Sequence, residues 1–316
     1  ILFSRGQAHL GLNQLRQAEQ AFSEALAMQS DFQLAMLGIA QVAINQNDLA
    51  KANKFVDQAL LSYEPLINAW IMKATLYQIQ GQFEKALSIL NDMVERDAEH
   101  LQVRLNRATL YITNEKWAEA AQDLDLILAK IPLEPRAKYL RAIVSAQLGD
   151  NEDSKNKINE TIVTLNSISD EVMKQNPSYL FLAGVTNYNL GNFEDALRYF
   201  QYYLTIKEND FGSLRYIAII ELKQGNPQNA KNLLSKANVY YPDDPALLSL
   251  LGISLMELGK IEQAKYYFEK VVSLTPGYGS ALSNLAQSEI LAGNYSQAIS
   301  NLLDAKKSDE KKPTEE

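Results

Sequence analysis

The phrase GNFEDALRYFQYY (191–203) returns along this chain at a fixed interval, and that interval constrains the fold more than any other property of the sequence. Related segments start at residues 13, 47, 81, 115, 149, 225, 259 and 293. They align one small residue at Ala18, Ala52, Ala86, Ala120, Ser154, Ala196, Ala230, Ala264 and Ala298. Seven of the eight intervals are 34 residues, and the interval from Ser154 to Ala196 is 42. A regular period of this length marks stacked supersecondary units.

A second small residue precedes each of these by 12 positions: Gly6, Ala40, Ala74, Ala108, Ala142, Gly184, Ala218, Gly252 and Ala286. A large apolar residue follows the later one by four: Phe22, Val56, Leu90, Leu124, Ile158, Phe200, Leu234, Phe268 and Leu302. The spacing predicts two helices per unit, joined by a short turn. The small residues let the paired helices approach closely, and the large residue plugs the gap between them. Gly81, Gly149, Gly191, Gly225, Gly259 and Gly293 fall in the turns, while Pro132, Pro242 and Pro276 end second helices. One such pair cannot bury its apolar stripe alone, so neighbours must stack.

The eight extra residues of the long interval fall within TIVTLNSISDEVMKQNPSYL (161–180). Ile162, Leu165, Ile168 and Val172 keep helical spacing without glycine, so the expectation is one lengthened helix near 152–175. The array spans 1–305 as a single domain, and the charged segment KKSDEKKPTEE (306–316) reads as a disordered tail or linker. The chain starts at Ile1 without an initiator Met or signal peptide, and Ile1, Leu2 and Phe3 form no polar cap. The expectation is a piece of a longer array, with an apolar end able to self-associate end to end.

Composition narrows the function. Net charge is −8, and phosphate binding needs a basic field, so nucleic acid is not the expected partner. No cysteine is present, which removes disulfides, thiolate metal sites and cysteine nucleophiles. No apolar run reaches the roughly 18 residues that span a bilayer, so this segment itself makes no membrane contact. His9 and His100 lie in different units and do not suggest a metal site. Asp123 and Asp125 are two apart and face different sides of a helix. No phosphate loop, zincin or nucleophile-elbow motif occurs. The reading is of a segment that is not an enzyme and has no cofactor or metal.

The 34-residue period with its two small residues resembles the tetratricopeptide repeat from residue 1 to about 305. That resemblance implies an all-α solenoid of about nine antiparallel helix pairs, wound into a right-handed superhelix with first helices along its concave face. The residue three before each first-helix small residue would then face that surface: Phe3, Leu37, Ile71, Leu105, Tyr139, Phe181 and Arg215, with Ile112 and Tyr188 further along. The stripe is apolar through Phe181 and polar from Arg215, continuing to Ser249 and Ser283. It either packs against neighbouring first helices or forms a groove for a peptide or helical segment. The Lys/Asn clamp with which some co-chaperone members grip a C-terminal carboxylate has no counterpart. Those slots hold Phe3 and Gln7, Leu37 and Gln41, or Ile71 and Thr75.

Several longer words, SRGQAHLGLNQLRQAEQAF (4–22), RAKYLRAIVSAQLGDN (136–151) and LFLAGVTNYNLGNFEDALRYF (180–200), resemble one narrower group, as does GNYSQAISNLLDA (293–305). These are the repeat lipoproteins of the exosortase/PEP-CTERM protein-sorting system of Gram-negative bacteria. The resemblance implies a longer, lipid-anchored protein, periplasmic or outer-membrane-associated, connected with biofilm and exopolysaccharide loci. The expected function is a non-catalytic scaffold that binds protein or peptide partners in its groove. The alternative is the substrate-recruiting array of a larger enzyme whose catalytic domain lies outside this segment.

Overall fold

The computed structural model describes residues 1–310, all nineteen of whose regular elements are α-helices. No strand occurs among the described residues. They fall into two compact units, Ile1–Leu190 and Gly191–Glu316, described separately. In the first unit the pairs are α1 (Leu2–Gly11) with α2 (Leu15–Met28), α3 (Gln33–Asn45) with α4 (Leu49–Leu60), and α5 (Ile67–Ile79) with α6 (Phe83–Arg96). Then come α7 (Leu101–Thr113) with α8 (Trp117–Lys130), and α9 (Pro135–Gln147) with α10 (Asn151–Asn166). The short α11 (Asp170–Gln175) and α12 (Ser178–Asn189) close the unit. The second unit holds α13 (Phe193–Ile206), α14 (Phe211–Lys223), α15 (Pro227–Ala237), α16 (Pro245–Glu257), α17 (Ile261–Leu274), α18 (Gly279–Leu291) and α19 (Tyr295–Glu310).

The small-residue register is buried at every repeat, and the plugs are almost all buried with it. Phe22, Val56, Leu90, Leu124, Phe200, Leu234 and Phe268 are all buried, Ile158 is half-buried, and only Leu302 on α19 is open, at 46% exposed. Phe22 shows why glycine and alanine alternate in the facing slot. Its ring is close enough that a Cβ on Gly6 would lie 2.5 Å from Cε1, and one on Gly38 of the next pair 2.8 Å away. Gly252 faces Phe268 in the same manner. Where the plug is Val56, Leu90 or Leu124, the smaller side chain leaves room for Ala40, Ala74 and Ala108. The stacked pairs share cores, as where Ala18 and Phe22 meet Ile39 and Val42.

Each tight turn places one residue in the left-handed region. These are Asn13, Asn47, Gly81, Glu115 and Gly149 in the first unit, and Gly191, Gly225, Gly259 and Gly293 in the second. The residue after it donates its N–H to the carbonyl five positions back, as Gln82 does to Tyr77 at 2.8 Å and Lys116 to Tyr111 at 2.9 Å. This closes the helix C-terminus in a Schellman arrangement. Glycine enters that region freely and asparagine tolerates it, but Glu115 has neither advantage (φ 58°).

Polar ties repeat with the same period. The residue before the first-helix alanine reaches back to the preceding second helix: Lys73 to Asp57 at 2.8 Å, Arg107 to Asn91 at 2.8 Å and Arg141 to Asp125 at 2.8 Å. Asp123, only 2% exposed, accepts from Arg104 Nη1 at 2.7 Å and from Arg107 Nε at 2.7 Å and Nη2 at 2.8 Å. The histidines serve local structure. His100 caps α7 by accepting from the Val103 N–H, and His9 Nδ1 lies 2.7 Å from Gln14 Oε1.

Two sequence expectations are corrected. The lengthened helix near 152–175 is two helices, broken at Ser167–Ser169. Ser167 turns its hydroxyl onto the Thr164 carbonyl at 2.7 Å, and serine side chains compete with the helical backbone in this way. Ser169 then occupies the N-cap position of α11 in extended conformation, before the acidic Asp170 and Glu171. The two compact units meet in sequence at the Gly191 turn, just after the 42-residue interval; α12 packs on α9, α10 and α11 within the first unit. The tail expected from 306 is helical through Glu310, because α19 continues, and residues 311–316 lie outside the described part.

Candidate functional site

First helices of successive pairs touch each other in the first unit: α1 with α3, α5 with α7, and α7 with α9. Their shared face carries the predicted stripe. Phe3, Leu37 and Ile71 converge on one hollow of about 410 Å³, lined also by Leu10, Leu34, Ile44 and Met72. Its polar lining is Gln7, Gln41, Asn68 and Thr75. The ring of Phe3 is fixed between Phe22 at 5.7 Å and Phe32 at 5.4 Å, which makes it a firm wall. Ile71 and Thr75 also border a smaller hollow of about 40 Å³ with Gln78, Asn106 and Thr109, so the surface runs on from α5 to α7. Gln78 of α5 donates to Thr113 of α7 at 3.0 Å across that step.

No residue lining either hollow is charged. That is informative in a chain with 22% charged residues. The walls are apolar, and the polar groups are amides and hydroxyls, each able both to donate and to accept. Such a lining suits an extended backbone, whose N–H and C=O groups alternate, and it repays burial of apolar side chains. It offers no fixed charge to hold a carboxylate or phosphate.

The other predicted residues take different positions. Leu105 is buried in the α7–α8–α9 core, and Ile112 packs at the margin of the same core. Tyr139 on α9 is half-buried, and its hydroxyl accepts from Asn189 Nδ2 at 3.0 Å, tying α9 to the end of α12. Phe181 and Tyr188 lie half-buried on α12, two turns apart. Arg215 belongs to α14 in the second unit, where its guanidinium lies 5.5 Å from the Tyr216 ring centre and its Nε has no hydrogen-bond partner. Asn68, Gln78, Asn106 and Thr109 were not singled out from the sequence. Asn68 and Gln78 flank Ile71 by three and seven positions and Thr109 follows Leu105 by four, so the helical period that gave the stripe also contains them; Asn106, one position after Leu105, lies off that period.

The family comparison matches the repeating helix pairs. One tetratricopeptide-repeat model fits residues 78–144. A second fits 3–65, 217–278 and 249–313, more than half of the chain. The chain is a tetratricopeptide repeat protein. Its similarity to individual members is distant. It is 23% identical to the DnaJ homolog subfamily C member 7 homolog of Dictyostelium discoideum, over 94% of this chain and 59% of that one. It is 28% identical to the photosystem I assembly protein Ycf3 of Prochlorococcus marinus (strain NATL1A), over 33% of this chain and 70% of that one. Among solved structures, the APC/C hetero-tetramer Cut9–Hcn1 aligns with a TM-score of 0.69 at 16% identity, covering 94% of this chain and 57% of that one. A monomeric IFIT1 variant with Gppp-AAAA aligns at 0.55 and 17% identity, covering 85% and 68%. At such identities the likeness establishes the repeat solenoid fold. The repeat chain spans 59% of the length of its Dictyostelium relative. No helix among the described residues is long and apolar enough to cross a membrane.

Proposed function

We propose that this tetratricopeptide repeat protein is a non-catalytic scaffold whose first unit captures an extended peptide segment with apolar, uncharged side chains along α1, α3, α5 and α7. The observation that carries this reading is the convergence of Phe3, Leu37 and Ile71 on one hollow whose lining contains no charge. Apolar side chains of the occupant would seat against Phe3, Leu37 and Ile71. Its backbone would meet Gln7, Gln41, Asn68 and Thr75, which make no demand on sequence. The slots from which related proteins grip a terminal carboxylate offer no cation here, so the segment need not be a chain terminus.

The setting we propose is the Gram-negative envelope: periplasmic or outer-membrane-associated, in protein sorting or exopolysaccharide export. What supports it is the resemblance of the sequence words at 4–22, 136–151, 180–200 and 293–305 to the exosortase-associated lipoproteins.

Selection of a random peptide library against this chain tests the binding reading. Enriched peptides should be rich in Leu, Ile, Val and Phe, poor in Lys, Arg, Asp and Glu, and without a fixed C-terminal carboxylate. Enrichment of charged motifs, or of no peptide at all, would contradict it. For the setting, subcellular fractionation of a bacterium encoding this chain should place it with the envelope; recovery in the cytosol would remove that part.

A further inference from the structure

Away from the groove, the first unit carries an apolar knob beside a hollow. The α4–α5 connection reads LSYEPL (61–66), and its large side chains are uncovered: Leu61 is 85% and Tyr63 99% exposed, and Leu66 and Ile67 are exposed as well. The connection is nonetheless fixed. Gln33 of α3 donates through Nε2 to the Glu64 carbonyl at 2.9 Å and accepts at Oε1 from the Leu66 N–H at 2.8 Å. One side chain thus holds the backbone on both sides of Pro65, and Tyr63 projects from a pinned loop. Single exposed apolar residues are ordinary; a cluster of them on fixed backbone marks an interaction surface.

The hollow, of about 230 Å³, opens between the start of α5, the later turns of α6 and the start of α7. Ile67, Trp70, Ile89 and Met93 give it an apolar lining, and Pro65 of the same loop borders it. It has room for an aromatic ring. Arg96 is among its lining residues. The Arg96 guanidinium and the Glu64 carboxylate, next to Tyr63, have no ion pair or hydrogen bond among the described residues. Of the acidic lining residues, Asp97 accepts from the Glu99 N–H at 3.0 Å, and Asp92 lies one turn before Arg96.

We propose that this surface binds a second copy of the chain, with Tyr63 of each copy entering the hollow of the other and Glu64 pairing with Arg96 across the contact. A knob and a hollow side by side on one surface are what a twofold, isologous contact requires. The hollow's lining holds Asp92 and Asp97 beside Arg96, and the opposite charges that can meet across the contact are Glu64 on the knob and Arg96 in the hollow. This site uses α4 to α7 from their loop side and is independent of the peptide groove.

Sedimentation velocity of the chain over a wide concentration range tests this. A reversible dimer is expected. Tyr63→Ser, which touches no core residue, should raise its dissociation constant about 30-fold or more, as loss of an aromatic anchor does. Glu64→Arg and Arg96→Glu should each weaken it about tenfold, and the double variant should recover, because both cross-pairs are then reversed. Because the sequence contains no cysteine, a Tyr63→Cys/Met93→Cys variant should form a dimer-sized product on mild oxidation. A monomer at every concentration would overturn the proposal. So would a dimer indifferent to Tyr63→Ser and to the charge variants.

Discussion

The Gly6 Cα faces the Phe22 ring so closely that one added methyl group would sit 2.5 Å from its Cε1. Gly252 and Phe268 repeat the relationship in the second unit. The slot and the plug are therefore sized to each other. Gly252→Ala should destabilise the fold by about 1–3 kcal/mol through overpacking. Phe268→Leu in the same chain should recover much of that loss, because Ala with Leu is the pair already present at Ala218 and Leu234. Chemical denaturation of the two single variants and the double gives the coupling. Simple additivity would contradict size matching.

Glu115 holds the left-handed turn position that glycine or asparagine fills in the other repeats. A non-glycine residue there carries a steric cost of about 1–2 kcal/mol, partly offset by the freer unfolded chain when glycine replaces it. Glu115→Gly should raise stability by about 0.5–1 kcal/mol, measured as a shift in denaturant midpoint. Gly81→Glu, the reverse change at the equivalent turn, should lower it by a similar amount.

Asp123 and Asp125 stand two residues apart on α8 and should respond very differently. The buried Asp123 carboxylate satisfies two guanidinium groups, Arg104 and Arg107, that are themselves largely covered. Asp123→Ala should cost about 3 kcal/mol, since it leaves both cations without their partner. The exposed Asp125, paired with Arg141 at 2.8 Å, should cost only about 0–1 kcal/mol on the same change. Thermal melts of the two variants make the comparison.

A carboxylate in the second unit sets an acid limit. Lys265, 2.6 Å away, and then Asn294 hold the Glu289 carboxyl below its ordinary range. A depressed folded pKa gives stability that is complete above the unfolded value of about 4.3 and disappears as pH falls through the folded value. The Lys265 ammonium is shifted upward by the same contact, so its share persists until strongly alkaline pH. Melting temperature measured from neutral pH to pH 3 should fall less steeply for Glu289→Gln than for the parent chain. Equal slopes would dismiss the ion pair as a contributor.

Much of this architecture is legible in the sequence because close packing leaves a periodic trace. Ala52, Ala86 and Ala120 announce the helix crossings since nothing larger fits, and the period then places Phe3, Leu37 and Ile71 on one face. The break at Ser167–Ser169 was not legible from apolar spacing: Leu165, Ile168 and Val172 keep helical phase across it, and the hydroxyl bonding that ends α10 leaves no periodic signal. The turn residues were half legible. The glycines were evident, but Asn13, Asn47 and Glu115 occupy the same register without the same composition. Leu105 shows the limit for the site, because position on the stripe does not say whether a side chain meets solvent or the neighbouring core.

The central functional claim is that an uncharged groove, not a charged clamp, holds the occupant. Fluorescence anisotropy with a library-selected peptide tests it most directly, comparing the parent chain with a Gln41→Arg/Thr75→Arg variant at low and high salt. Both positions border the 410 Å³ hollow without belonging to the buried core. The account predicts a parent affinity that changes little with salt and falls at least tenfold in the variant, with the fold unaltered by circular dichroism. Binding that weakens steeply with salt, or that is equal in the two proteins, would contradict it.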